Sequence, residues 1–338
     1  MSTALPGAVV AVDVGGTTVK GQVRIGDVVL DRVVVPTSGG VEPVPAGPGG
    51  AALAAVRSVI DRLVTSARAA GHPLVAIGLC TPGVVDSEAG RVVVAVNLGW
   101  QDLPIVDLLR ERYGVPVAVA HDARAAATAE IAARAAAGRD VDEMVFIPIG
   151  TGVSASLVVD GRLVVGAAGG AGEVGHVCVR PGGEPCTCGQ RGCVEAYASA
   201  RNLRRRYREA GGTLDGGAPE IIDAIDTDPV AAAVWADAVD ALGAGVAILA
   251  AVLDPAVVVI GGGLGEAGER LLVPLRDAVD ARLGWRPAPR IEQSLVGAGA
   301  GLAGAAVLAS AAAATSTPSP TPIRSTDPVT VDHPRRTP

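Results

Sequence analysis

Aromatic residues are nearly missing from this chain: three Trp, three Tyr and one Phe make up 2% of 338 residues. A sugar or base site here cannot rest on stacking rings and must use hydrogen bonds, and the core must be built from Val, Leu, Ile and Ala. Positive charge is short as well. The formal net charge is −7, and the one basic run, RNLRRRYR at residues 201–208, reads as the solvated face of a helix. Nucleic acid and anionic membranes both require clustered positive potential, so neither is expected as a partner. A charged n-region and a cleavable apolar core are both lacking in MSTALPGAVVAVDVGG, which points to a cytoplasmic protein. Residues 296–314 form an apolar run long enough to span a bilayer, but their Gly and Ala content suits a closely packed soluble helix better. Cysteine is scarce too, and four of the five cysteines lie in one place.

That place is EVGHVCVRPGGEPCTCGQRGCVE, residues 173–195. Cys186, Cys188 and Cys193 have the C-x-C-x4-C spacing of a tight thiolate turn, with Gly189 and Gly192 giving the backbone freedom to bring the sulfurs together. His176 is the natural fourth ligand. Three thiolates and an imidazole make a closed tetrahedral zinc site, structural because no position is left for water or substrate. A disulfide or free thiols are the alternatives; the odd cysteine count and the lack of a secretory signal favour the metal.

At this length the chain can bury a large core and divide into two domains. Residues 8–14 form an aliphatic run ending in Gly15-Gly16, which reads as a buried strand delivering a turn. Strands at 19–25 and 28–35 follow, then a Pro- and Gly-rich loop over 36–50 and a helix over 51–70. Strands at 74–79, 92–96 and 115–120 and helices at 103–113 and 123–137 complete the first half. The pattern then restarts. A strand at 144–149 ends in Gly150-Thr151-Gly152, and a hairpin-like pair, 153–159 and 162–165, turns at Asp160-Gly161. Strand, glycine turn, strand, tight turn, strand thus recurs about 136 residues on, the mark of a duplicated α/β unit with a cleft carrying one glycine turn from each half. Helices at 199–210, 229–253 and 266–283 and a strand at 256–260 follow. The expected division is 1–120, 121–314 and a Pro-, Thr- and Ser-rich tail, 315–338, read as disordered.

DVGGTTVK, residues 13–20, sets a carboxylate at a strand end before a glycine turn. Its backbone N–H groups around Gly15 and Gly16, with Thr17, Thr18 and Lys20, can surround phosphate oxygens, while Asp13 can hold hydrated Mg2+. The P-loop spacing is absent. Thr151 and Gly152 in the second turn would hold the same anion from the other side. Gly261 and Gly262, after a strand and before a helix, could let the backbone approach an adenosine. Between the two turns Asp122 begins a helix. A carboxylate there is stabilised in its ionised form and can take a proton from a hydroxyl as a phosphoryl group arrives; a plain N-cap is the competing reading.

Taken together these motifs resemble the ROK sugar kinases (repressors, open reading frames and kinases) of the actin-like ATPase superfamily, over residues 8–310. DVGGTTVK resembles the first phosphate motif, TPGVVD at 81–86 a sugar-side loop, GTGV the second phosphate turn, AGEVGH a sugar and zinc motif and CTCGQRGCVE a cysteine motif. The resemblance implies a duplicated actin-like, ribonuclease H-like α/β fold around a cleft, and transfer of the γ-phosphoryl of Mg-ATP to the 6-hydroxyl of a glucose-type hexose. It implies Asp122 as the catalytic base, Asn97, His121, Asp122 itself, Glu173, His176 and Glu195 as sugar contacts, structural zinc on His176, Cys186, Cys188 and Cys193, and a homodimer or dimer of dimers. Family glucokinases commonly read N-D-A-N where this chain has His121-Asp122-Ala123-Arg124, so N-acetylglucosamine stands beside glucose as an acceptor. Sugar-responsive repressors of the same family carry an N-terminal helix-turn-helix, for which Asp13 lies too near the start of the sequence.

Overall fold

The computed structural model describes residues 7–37, 49–139 and 141–315. Most of the loop read over 36–50, and the tail beyond Thr315, lie outside the described residues.

Strands β1 (Ala8–Val14), β2 (Thr18–Ile25) and β3 (Val28–Pro36) form an antiparallel meander. Helix α1 (Gly50–Ala69) then buries Leu53, Val56, Ile60 and Leu63, the 3.6-residue stripe of its sequence, and leads to β4 (Leu74–Thr81), parallel to β1. A small antiparallel sheet follows, made of β5 (Val84–Asp86), β6 (Arg91–Ala95) and β7 (Trp100–Leu103). Helix α2 (Ile105–Tyr113) and strand β8 (Val117–His121) complete the order β3-β2-β1-β4-β8, and α3 (Asp122–Ala136) leaves the sheet at Asp122.

The second half repeats this plan. β9 (Met144–Pro148), β10 (Ser156–Val159) and β11 (Arg162–Leu163) form the meander. The helices α4 (Glu195–Ala198), α5 (Ala200–Glu209), α6 (Ala218–Asp223) and α7 (Pro229–Leu253) come next. β12 (Val257–Gly261), α8 (Gly262–Gly265), α9 (Glu269–Asp280) and β13 (Arg290–Gln293) close the order β11-β10-β9-β12-β13. Among the described residues the two five-stranded sheets match strand for strand: two antiparallel pairings on one side of the central strand, two parallel pairings on the other. The duplication expected from the two glycine turns is present.

One helix departs from the sequence division. α10 (Ala300–Thr315), grouped with residues 121–314, lies on the first sheet, its Ala305, Ala306 and Ala309 buried against Val9, Ala11, Ala76, Cys80 and Ala125. Small residues make this possible. A Cβ on Gly304 would lie 1.8 Å from the Ala125 carbonyl oxygen, and one on Gly78 would lie 1.9 Å from that of Ala305, so helix, helix and strand meet backbone to backbone. Residues 297–315 and α7 are long and apolar enough to cross a membrane; here the first is packed between α3 and β4, and the second supplies core residues to the second half.

Smaller differences have local causes. The helix expected from residue 103 begins at Ile105, because Leu103 precedes Pro104 and is driven to the extended conformation that ends β7. The helix expected from 266 begins at Glu269, since Gly268, at φ 57° and ψ −132°, breaks the helical path. Strands β5, β7 and β13 were not expected; they are three or four residues long and mix polar with apolar positions.

Candidate active site and metal centre

The first glycine turn is tied down by its neighbours. The Gly15 N–H donates to the Thr18 carbonyl at 2.9 Å, the Thr37 hydroxyl donates to the Gly15 carbonyl at 2.6 Å, and the Thr37 N–H donates to the Thr17 carbonyl at 2.9 Å. Gly16, Thr17 and Lys20 stay exposed. A Cβ on Gly16 would stand 3.6 Å from the Asn97 amide nitrogen, so this turn and Asn97 are neighbours.

Asp13 ends β1 beside that turn. Burial pushes its carboxyl above the usual carboxylate range, the Cys80 thiol donating at 3.4 Å works against the rise, and the charge of Asp122 adds to it. The same burial, with the charges of Asp13 and Asp122, pushes the Cys80 thiol well above its ordinary value. Cys80 also donates to the Gly301 carbonyl at 3.4 Å, and a Cβ on Gly301 would come within 3.1 Å of Asp13 Oδ2. Cys80 and Gly301 are therefore the walls around Asp13. Neither was expected from the sequence; the signal available was the Gly297, Gly299, Gly301, Gly304 spacing of small residues, which permits close approach without saying to what.

Asp122 opens α3 immediately after β8, with its side chain 44% exposed. Its Oδ1 accepts from the Ala123 N–H at 2.6 Å and lies 3.3 Å from His121 Nε2. The carboxylate thus sits at the positive end of a 15-residue helix with an imidazole at its side.

The second turn is held by three segments. The Gly150 N–H donates to the Gly152 carbonyl at 3.0 Å, and the Gly150 carbonyl accepts from the Ala200 N–H at 2.9 Å. Ile149, just before it, accepts from the Leu264 N–H at 3.0 Å and donates to the Gly261 carbonyl at 2.9 Å, which brings Gly261 and Gly262 alongside. The third segment is AGEVGH. The Ala155 N–H donates to the Gly172 carbonyl at 2.7 Å, and a Cβ on Gly172 or Gly175 would lie 2.0 Å from the carbonyl oxygen of Ala155 or Val153. These two positions have to be glycine, because the segment carrying Glu173 and His176 runs backbone against backbone along the second turn.

His176 joins the segment along the second turn to the cysteine loop. Its Nδ1 is 3.6 Å from Cys186 Sγ, Cys188 Sγ is 3.7 Å from Cys193 Sγ, and the four ligand atoms lie within 4.8 Å of one another. Zn–S bonds of about 2.3 Å at tetrahedral angles require sulfur separations of about 3.8 Å. The donor set and its spacing therefore fit Zn2+. Nε2 of His176 is left facing Glu173 Oε2 at 4.0 Å. The Gln190 N–H pulls Cys188 down to about 7, whereas burial followed by its sulfur neighbours pushes Cys193 up to about 12. Gly189 and Gly192 take φ of 90° and 81°, as the thiolate turn requires. Two residues past Cys193, Glu195 Oε2 accepts from the Val153 N–H at 3.0 Å and reaches the second glycine turn.

The ROK family model matches residues 9–312. A glucokinase of Halalkalibacterium halodurans is 35% identical over 289 residues, 80% of this chain and 85% of that protein. Among solved structures, a ROK family glucokinase from Streptomyces griseus in complex with glucose and AMPPNP superposes with a TM-score of 0.75 at 33% identity, covering 90% of this chain and all of that one. A ROK hexokinase from Thermus thermophilus gives a TM-score of 0.70 at 34% identity, over 90% of this chain and 98% of that one.

Proposed function

The chain belongs to the ROK family, and from that premise we propose that it is an ATP-dependent hexose kinase that phosphorylates the 6-hydroxyl of glucose. The observation that carries the reading is the position of Asp122: a half-exposed carboxylate at a helix N-terminus, close enough to Asp13, at the end of the strand that delivers the first glycine turn, for its charge to act there.

In this reading Gly15, Gly16, Thr17, Thr18 and Lys20 receive phosphate oxygens from one side and Thr151 and Gly152 from the other. Gly261 and Gly262 border the adenosine. Asn97, His121, Glu173, His176 and Glu195 hold sugar hydroxyls, with N-acetylglucosamine as the second acceptor because His121 can both donate and accept. Asp122 takes the proton of the attacking hydroxyl late in transfer, when the oxygen has begun to bond to phosphorus and its proton has become acidic. Asp13, with its water shell, would hold Mg2+, which supplies charge neutralisation on the phosphates when bound. Zinc on His176, Cys186, Cys188 and Cys193 has no open coordination position, so its part is to fix the orientation of His176 and, through it, Glu173. The two halves act as lobes of a closing cleft that excludes water. In the same reading the protein is cytoplasmic and a homodimer or dimer of dimers, as the family resemblance implies.

The test is a coupled assay with Mg-ATP over glucose, N-acetylglucosamine, N-acetylmannosamine, mannose and fructose. Glucose should give the highest kcat/KM. ATP hydrolysis at a rate independent of every hexose would overturn the proposal.

A further inference from the structure

Arg124 follows Asp122 by two residues on α3, and the residue is only 8% exposed. Burying a guanidinium requires acceptors for its N–H groups. Two are backbone carbonyls far apart in sequence: one terminal nitrogen donates to Gly169 O at 2.9 Å and the other to Val85 O at 3.1 Å. Val85 lies in β5, part of the small sheet that β4 sends out in the first half. Gly169 lies in the second half, in the segment whose Gly172 carbonyl accepts from Ala155 and which continues into Glu173 and His176. The two segments touch where the arginine grips them, since a Cβ on Gly169 would stand 3.7 Å from Val84 Cγ1 and 3.9 Å from Val85 O. The carboxylates of Asp122 and Glu173 both act on the cation, opposing the downward pull of burial on its proton affinity.

We propose that Arg124 is a positioning residue: its planar fork clamps β5 of the first half to residues 166–172 of the second, and so sets the register of the sugar-contact groups of both halves relative to Asp122. A planar fork suits this task because its two donors diverge at a fixed angle, so both carbonyls are held in one geometry. The consequence for turnover rests on the kinase reading; the clamp itself does not.

The experiment pairs hydrogen exchange with kinetics. In Arg124→Met, which keeps length and loses every donor, amide exchange at residues 84–86 and 167–171 should rise together by about tenfold or more, each segment losing one hydrogen bond from a charged donor. KM for glucose should rise by a similar factor, about tenfold, with KM for ATP unchanged and kcat falling less. Arg124→Lys, which keeps a cation, should recover part of both effects. If exchange at both segments stays at the wild-type level, or only one segment responds, the clamp is wrong. If exchange rises in both segments but KM for ATP and KM for glucose change equally, the assignment to the sugar side is wrong. A wild type that phosphorylates no hexose while Arg124→Met still opens both segments would overturn the kinase reading and leave the clamp standing.

Discussion

Glu195 Oε2 accepts a hydrogen bond from the Val153 N–H at 3.0 Å, and Cys193 lies two residues before Glu195. A ligand of the proposed zinc site and the second glycine turn are thereby joined through one short segment and its carboxylate. Losing the metal should disturb the turn as well as the sugar side. Chelated to completion, the protein should melt at a lower temperature, bind glucose about tenfold or more weakly, and recover both on addition of Zn2+. Calorimetry and thermal melting, with zinc content measured in parallel, check this; a zinc-free protein with normal glucose affinity would refute it.

The proposed base, Asp122, can be tested separately from the metal loop. Asp122→Ala should lower kcat by about a hundredfold or more while leaving glucose affinity within a few-fold, because the base acts on the attacking hydroxyl in the transition state. Near-normal turnover would remove Asp122 from the chemistry.

The space around Asp13 offers a third test. Gly301→Val should force β-branched bulk against the Asp13 carboxylate, where a Cβ alone already lies 3.1 Å from Oδ2. Displacement of this kind should reduce kcat/KM for Mg-ATP by about a hundredfold with glucose binding retained. Cys80→Ala, which removes only the thiol donor, should have a smaller effect in the same direction. Equal losses for ATP and glucose would point to general unfolding instead.

A fourth concerns acid stability. The Tyr207 hydroxyl donates to the Asp228 carboxylate, which also caps α7 by accepting from the Val230 and Ala231 N–H groups at 2.8 and 3.2 Å. The tyrosine bond, then the two backbone bonds, hold the Asp228 carboxyl below the usual carboxylate range. With a depressed folded-state value, the charged form stabilises the fold above the unfolded pKa of about 3.9, and that contribution is lost as pH falls through the folded value. Asp228→Asn, still a good N-cap, should therefore melt earlier than wild type at neutral pH and converge with it in strong acid. A melting difference that is constant with pH would show that the charge plays no part.

What could be read from the sequence were features whose physics is local. The two glycine turns, the repeated strand pattern and the Cys-x-Cys spacing all declare themselves within a few residues, since a turn or a thiolate loop is set by its own backbone. The return of α10 to the first sheet, the walls that Cys80 and Gly301 build around Asp13, and the grip of Arg124 on Val85 and Gly169 depend on residues 39 to 300 positions apart. No short window contains them. β13 stayed hidden for another reason: as an edge strand reading RIEQ with one buried position, it has no apolar run to mark it.

The path of the last helix has a consequence for synthesis. Val9, Ala11 and Ala76 of the first sheet are covered by Ala305, Ala309 and their neighbours on α10, so one face of the half that leaves the ribosome first has no partner until the end of the described chain has been made. Truncation just before residue 300 should then leave the earlier half unable to finish folding, and the nascent chain would depend during that interval on whatever shields an unfinished β-sheet from its neighbours.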